Sequence, residues 1–106
     1  MLNNIFNKKT ERSSDQQATI DSQTASLALY HFQSCPFCAR VRNAIDGMNL
    51  NIEQRDIQID AQHRQALLAG GGKTQVPALQ ITHDDGTVEW MYESMDIINY
   101  LKKRFV

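Results

Sequence analysis

Residues 27–38 read LALYHFQSCPFC, and this stretch decides the fold. Its first six residues are apolar and aromatic, which is typical of a buried strand. Proline is favoured at the first position of a helix, so Pro36 indicates a helix start and makes Cys35 the N-cap residue. From there, apolar side chains recur at helical spacing, at Phe37, Val41, Ala44, Ile45 and Met48.

The two cysteines of the chain, Cys35 and Cys38, both lie at this strand-to-helix junction. At the N-cap, the Cys35 sulfur faces unpaired backbone N–H groups and the positive end of the helix dipole. Both favour the thiolate, which is the nucleophilic form. Cys38 falls on the core-facing stripe of the helix. We therefore expect an exposed, attacking Cys35 and a sheltered Cys38 that resolves the intermediate, which together carry out thiol–disulfide exchange.

Two other interpretations of the cysteine pair compete with this one, a structural disulfide and half of a zinc site. A structural disulfide would close a loop of two residues and add little stability, and no secretory signal precedes it. Half of a zinc site would need a second Cys-x-x-Cys, or histidines at ligand spacing. The histidines at 31, 63 and 83 are scattered, and we predict no metal site.

Composition limits the function classes. A chain of 106 residues with 42% hydrophobic residues suits one domain. A net charge of −1 gives no electrostatic basis for binding nucleic acid or an anionic membrane. We see no stretch of transmembrane length and no apolar leader at the N-terminus. We therefore expect a cytoplasmic monomer without a membrane span.

The first 25 residues differ from the rest, being rich in Asn, Gln, Ser and Thr with balanced charges. We predict a flexible polar arm over 1–25 and a folded domain over 26–106. Leu2, Ile5 and Phe6 are a candidate apolar turn that would dock on a partner or a membrane surface.

The rest of the chain alternates strands and helices. We predict strands at 27–32, 52–57, 77–81 and 87–91, and helices at 36–48, 61–69 and 94–104. Asp60 is the expected N-cap of the second helix and Gly70–Gly72 its stop. The order β-α-β-α-β-β-α predicts an α/β fold, with a four-stranded mixed sheet flanked by helices.

That order, with Cys-Pro-aromatic-Cys after the first strand, resembles the thioredoxin fold and glutaredoxins in particular. Thr74-Gln-Val-Pro77 resembles the family's Thr-Val-Pro segment, whose proline is cis. Glu93-Ser94 is similar to the Glu-Ser pair of the glutathione-transferase N-terminal domain. The resemblance covers about residues 27–105.

The resemblance implies that glutathione binds as a co-substrate. Val76, before the cis proline Pro77, would pair its free N–H and C=O with an extended cysteinyl peptide. Ser94, as the expected N-cap of the last helix, would hold the γ-glutamyl carboxylate, with Glu93 or Asp96 near the amino group. Phe37 would contribute further contacts.

This chain departs from the glutaredoxin pattern. Phe37 replaces the common tyrosine, and Phe32 stands where a lysine often attracts a carboxylate of glutathione. Lys73 or Arg40 is the candidate replacement cation, Lys73 being preferred because it flanks the Val-Pro segment. The Gly-Gly-Cys-Asp-Asp segment of many small glutaredoxins is absent.

The implied activity is glutathione-dependent reduction of protein–glutathione mixed disulfides and of protein disulfides. The alternatives are an iron–sulfur cluster shared by two chains, a glutathione transferase, and a thioredoxin-like reductase that does not use glutathione. Pro36 counts against the cluster, since glutaredoxins of that type usually lack it.

Overall fold

Four strands and four helices make up the part of the chain that the structure, a computed structural model, describes: residues 9–106. The elements are α1 Ser14–Thr24, β1 Leu27–His31, α2 Pro36–Gly47, β2 Glu53–Asp56, α3 Ala61–Gly71, β3 Ala78–Thr82, β4 Val88–Met91 and α4 Ser94–Phe105. From β1 onward the predicted order is confirmed. One helix, α1, was not predicted.

The four strands form one mixed sheet in the order β2-β1-β3-β4. Strands β1 and β2 run parallel, with Leu29 beside Gln54. Strands β1 and β3 are antiparallel, with Leu29 beside Leu79, and β4 continues antiparallel at the edge. The predicted α/β, thioredoxin-like fold is confirmed.

Alternation along β1 sends its side chains into two separate cores. Leu27 and Leu29 point to the face covered by α2 and α4, where the larger core lies. Ala28 and Tyr30 point to the opposite face, where Leu67 of α3 completes a smaller core. All five residues of β1 are buried, which explains why the strand reads as a continuous apolar run.

The ends of α3 follow the predicted signals. The Asp60 carboxylate accepts a hydrogen bond from the Gln62 N–H at 2.9 Å and caps the first turn. The helix continues to Gly71, two residues beyond the prediction, and ends at Gly72. That residue adopts the left-handed conformation, φ 82°, which glycine tolerates best.

The prediction of a flexible arm over residues 1–25 is wrong for the part that forms α1. Ser13 and Gln16 build a capping box, each side chain bonding the other's backbone N–H. Arg12 donates to the carbonyl oxygens of Met48, at 2.9 Å, and Phe105, at 3.0 Å. These polar contacts attach the segment to the ends of α2 and α4, and an apolar pattern does not reveal them.

Two earlier expectations concern the rest of the N-terminus and membranes. The candidate apolar turn of Leu2, Ile5 and Phe6 lies outside the described residues. Within residues 9–106, none of the helices has both the length and the apolar character needed to cross a bilayer.

Candidate active site

Cys35 occupies the N-cap of α2, as predicted, with extended backbone angles. Its Sγ accepts a hydrogen bond from the backbone N–H of Cys38 at 3.2 Å. The amide dipole and the helix N-terminus both stabilise a negative charge on this sulfur. The expectation of an exposed Cys35 is wrong, since the residue is 7% exposed. The side chain folds back onto the first turn of its own helix to make this bond.

Cys38 is fully buried on the core-facing side of α2, as its position in the stripe predicted. Burial, together with a hydrogen bond to the Cys35 side chain, raises the pKa of Cys38 to about 12. Both cysteines are free thiols. The pair is therefore asymmetric. One sulfur accepts a backbone N–H at a helix start, and the other is a protonated thiol in the core.

Arg42, one turn after Cys38, holds the turn that precedes Cys35. Its guanidinium donates to the carbonyl oxygens of Phe32, at 3.2 Å, and Gln33, at 3.1 Å. It also lies 2.9 Å from Nδ1 of the buried His31, which must accept because arginine only donates. Burial, and then the positive charge of Arg42, lower the pKa of His31. Sequence reasoning missed this contact, whose only visible signals were a histidine in an apolar strand and an arginine on the following helix.

The segment before β3 has the geometry that the resemblance implied. The peptide bond between Val76 and Pro77 is cis. Among residues 9–106, no backbone group pairs with the N–H or the carbonyl of Val76, because the β1–β3 ladder stops at Ala78. An extended peptide can therefore bond to Val76 as an added strand.

A cavity of about 270 Å³ joins this segment to the cysteine motif. Five of the predicted binding residues line it, together with Gln75. They are Phe37, Val76, Pro77, Glu93 and Ser94. The chain thus brings together residues from the start of α2, the cis-proline segment and the start of α4, which are far apart in sequence.

Glu93, not Ser94, holds the N-cap of α4, so this detail of the prediction is wrong. Glu93 has φ 68°, which is uncommon for a residue other than glycine and is typical of ligand sites. Its side chain makes no capping bond, and Ser94 is the first helical residue. The N–H groups of this turn therefore have no side-chain cap among the described residues, which favours an anion there.

Neither candidate cation lines this cavity. The Lys73 ammonium lies 4.2 Å from the ring centre of Tyr92, in a cation–π contact. The Arg40 guanidinium lies 5.7 Å from the ring centre of Phe37. Phe32, at the position of the missing lysine, lines a second and larger cavity with Arg64, a residue that no motif in the chain singles out.

Within residues 9–106, no three histidine, cysteine or acidic side chains come together in a way that could hold a metal ion.

Residues 29–106 match the family profile of the glutathione S-transferase N-terminal domain. The chain belongs to this family. The transferase N-terminal domain is a thioredoxin fold, so the broad resemblance is confirmed. The narrower assignment to glutaredoxins stays a prediction. No curated protein matches the sequence.

Three solved structures illustrate the likeness of this transferase N-terminal domain to known proteins. Maleylacetoacetate isomerase from Anaeromyxobacter dehalogenans 2CP-1, with bound GSH in its active site, is 29% identical over 76% of this chain, with a TM-score of 0.57. Glutathione transferase E6 from Drosophila melanogaster is 27% identical over 76%, with a TM-score of 0.58. The thioredoxin-like protein BC3987 is 26% identical over 73%, with a TM-score of 0.56. The match covers 38% of the isomerase, 35% of the transferase and 96% of BC3987.

Proposed function

We propose that this transferase N-terminal domain is a glutathione-dependent thiol–disulfide oxidoreductase of the glutaredoxin type. The observation that carries the proposal is the hydrogen bond from the Cys38 N–H to the Cys35 Sγ at the start of α2. A sulfur at a helix N-terminus, with a second thiol one turn away, is suited to attack on a disulfide.

Glutathione binding is supported by the cavity between the cis-proline segment and α4. The cysteinyl part of glutathione would bond to the free backbone groups of Val76 as an added strand. The γ-glutamyl carboxylate would accept from the uncapped N–H groups at Ser94, with the Glu93 carboxylate near the amino group. The GSH-bound structure among the similar proteins agrees with a ligand of this class.

The reaction has two exchange steps. The Cys35 thiolate attacks the glutathionyl sulfur of a protein–glutathione disulfide, the S–S bond breaks, and the protein thiolate leaves and takes up a proton. A glutathione thiolate then attacks the glutathionyl sulfur on Cys35, which releases Cys35 as a thiolate and forms glutathione disulfide. Cys38, buried and with its pKa raised to about 12, does not compete for external disulfides. Its proposed role is to attack a protein–Cys35 disulfide and resolve it.

The test is glutathione-dependent reduction of a mixed disulfide between glutathione and a small thiol. Wild type, Cys35→Ser and Cys38→Ser are compared. We expect Cys35→Ser to be inactive and Cys38→Ser to stay active. Substitution at the exposed Met95, which follows Ser94 but does not line the cavity, is the control and should leave the rate unchanged. Equal activity of wild type and Cys35→Ser would contradict the proposal.

The family match favours a second candidate, glutathione transfer to an electrophile, since two of the similar structures are a glutathione transferase and an isomerase. Cys35 would then stabilise or use the glutathione thiolate. Conjugation of glutathione to an aromatic halide by wild type, without disulfide reduction, would select this candidate.

A further inference from the structure

The larger cavity shares no lining residue with the Glu93–Ser94 cavity, but the two meet at neighbouring positions of the chain. Its volume of about 590 Å³ is within the range of small-molecule sites, about 300–1,000 Å³. Thr74 lines this cavity, and its chain neighbour Gln75 lines the smaller one. A peptide bonded to Val76 as an added strand would therefore enter one cavity at each end.

Part of the wall of the larger cavity is apolar, although a glycine has no side chain for an apolar surface to cover. Phe32, Ile57 and Ile59 line it. Ile59 is 80% exposed, so its side chain is free to contact a ligand in this cavity. Its position is fixed, because the Asp56 carboxylate accepts the Ile59 N–H at 3.2 Å and the Gln58 N–H at 2.8 Å. The turn thus holds an isoleucine at the cavity rim, in water.

The charges of the two cavities are opposite. Arg64 lines the larger cavity, and within residues 9–106 its guanidinium makes no ion pair with a carboxylate. Glu93 lines the smaller one. An extended ligand with an amino group near Glu93 and a carboxylate near Arg64 would match both.

From these observations we infer that the larger cavity selects the residue that follows the ligand's cysteine, and that it favours an apolar side chain over glycine. The ligand class is a γ-glutamyl-cysteinyl peptide whose last residue is apolar and carries a free carboxylate. Phe32, Ile57 and Ile59 cover its side chain, and Arg64 binds the carboxylate. This inference rests on the proposed function, because the ligand is held through a disulfide to Cys35.

The test uses the Cys38→Ser protein, in which position 38 has no thiol to displace the peptide bonded to Cys35. The symmetrical disulfides of γ-Glu-Cys-Gly and γ-Glu-Cys-Leu are mixed in equal amounts with the protein and the two free thiols. Cys35 attacks either disulfide, one peptide stays bonded to it and the other leaves as a thiol. Mass spectrometry of the intact protein gives the ratio of the two adducts. We expect the leucine adduct to exceed the glycine adduct about tenfold, from partial burial of the leucine side chain.

Matched variants distinguish selection by this cavity from a general preference of the protein for apolar peptides. Ile59→Ser should bring the ratio close to one, and Val88→Ser, which changes a 47% exposed apolar residue outside this cavity, should leave it unchanged. Because both positions are exposed, neither change threatens folding. Phe32→Lys should shift the ratio toward glycine.

A second arm tests Arg64. Arg64→Gln should reduce adduct formation with γ-Glu-Cys-Leu but not with its C-terminal amide, which has no carboxylate. Adducts that form with both peptides at a ratio near one in the Cys38→Ser protein would overturn the inference while the proposed function stands. A ratio that Ile59→Ser leaves unchanged would do the same. If neither peptide forms an adduct, the proposed function and the inference both fail.

Discussion

The two faces of the sheet are built in different ways. The face under α2 and α4 holds a core of aliphatic residues with Phe105 at its edge, thirteen buried side chains among the described residues. The face under α3 holds five, of which two are alanines. There the Tyr30 ring packs at a tilt of 55° against Trp90, with the ring centres 5.1 Å apart, and the Tyr30 hydroxyl accepts from Arg55 at 2.7 Å.

The difference separates the face that holds most of the buried apolar area from the face that borders the two cavities. The larger core sets the free energy of unfolding, because the hydrophobic gain follows the apolar area buried. The smaller core carries residues that line the two cavities, with Phe32 and Val76 packed at its margin. A face with less buried apolar area can open locally without unfolding the whole domain. We expect this division to appear in the stability of variants on the two faces.

The largest effect is expected for Leu101→Ala in the larger core, where the side chain is fully buried. Loss of the side chain and the cavity left behind should lower the free energy of unfolding by about 2–5 kcal/mol. Leu67→Ala removes the same atoms from the smaller core, where fewer buried side chains surround them. It should cost less and mainly speed amide exchange in α3. Urea unfolding and hydrogen exchange measure both, and equal losses would contradict the division.

Next comes Gly71→Ala, which probes how closely α3 approaches the sheet. A Cβ at this position would clash with the Tyr92 hydroxyl, which also donates to the Gly71 carbonyl at 3.1 Å. Overpacking costs about 1–3 kcal/mol, although alanine's better helix propensity recovers about 0.5–1 kcal/mol. Tyr92→Phe removes the clashing oxygen, so the double variant should be more stable than the sum of the single changes. Additive losses in urea unfolding would show that the clash with the Tyr92 hydroxyl is not what destabilises Gly71→Ala.

Ser13→Ala, on the side of the larger core, should have a smaller effect. It removes the hydroxyl that accepts the Gln16 N–H, and the loss of such a cap costs about 1 kcal/mol. Ser14→Ala is the matched control, because Ser14 is exposed and begins the helix without a capping role. If the two variants unfold at the same urea concentration, α1 does not contribute to the stability of the domain.

Helix α1 also shows where sequence reasoning stopped. The order of elements from β1 onward could be predicted, because each strand and helix has an apolar period and a capping or turn residue. Helix α1 has almost no apolar face, with only Thr24 buried, so its attachment through Arg12 does not appear in a pattern. One local signal was available, the capping box of Ser13 and Gln16.

The candidate site, like the fold, was predictable only where local sequence motifs mark it. Short motifs located Phe37, Val76, Pro77 and the Glu93–Ser94 pair, which the fold brings to one cavity. Arg64 could not be found this way. Its place opposite Phe32 depends on how α3 packs on the sheet, and no spacing in the sequence encodes that distance.

The smallest expected effect is the dependence of the free energy of unfolding on pH, and it concerns His31 at the end of β1. Burial and the nearby Arg42 lower the pKa of His31, and Asp56 opposes them. Below about pH 6.5, the ordinary value for histidine, the unfolded chain binds a proton that the folded His31 does not. Stability should therefore be full above that pH and fall as the pH drops. In His31→Gln the free energy of unfolding should fall less steeply between pH 7 and 5. Gln80→Met, on the opposite face of the sheet, replaces one side chain that does not ionise with another and should keep the wild-type slope. Urea unfolding at several pH values measures both slopes. Parallel curves for wild type and His31→Gln would mean that this histidine is not the group that makes the domain sensitive to acid.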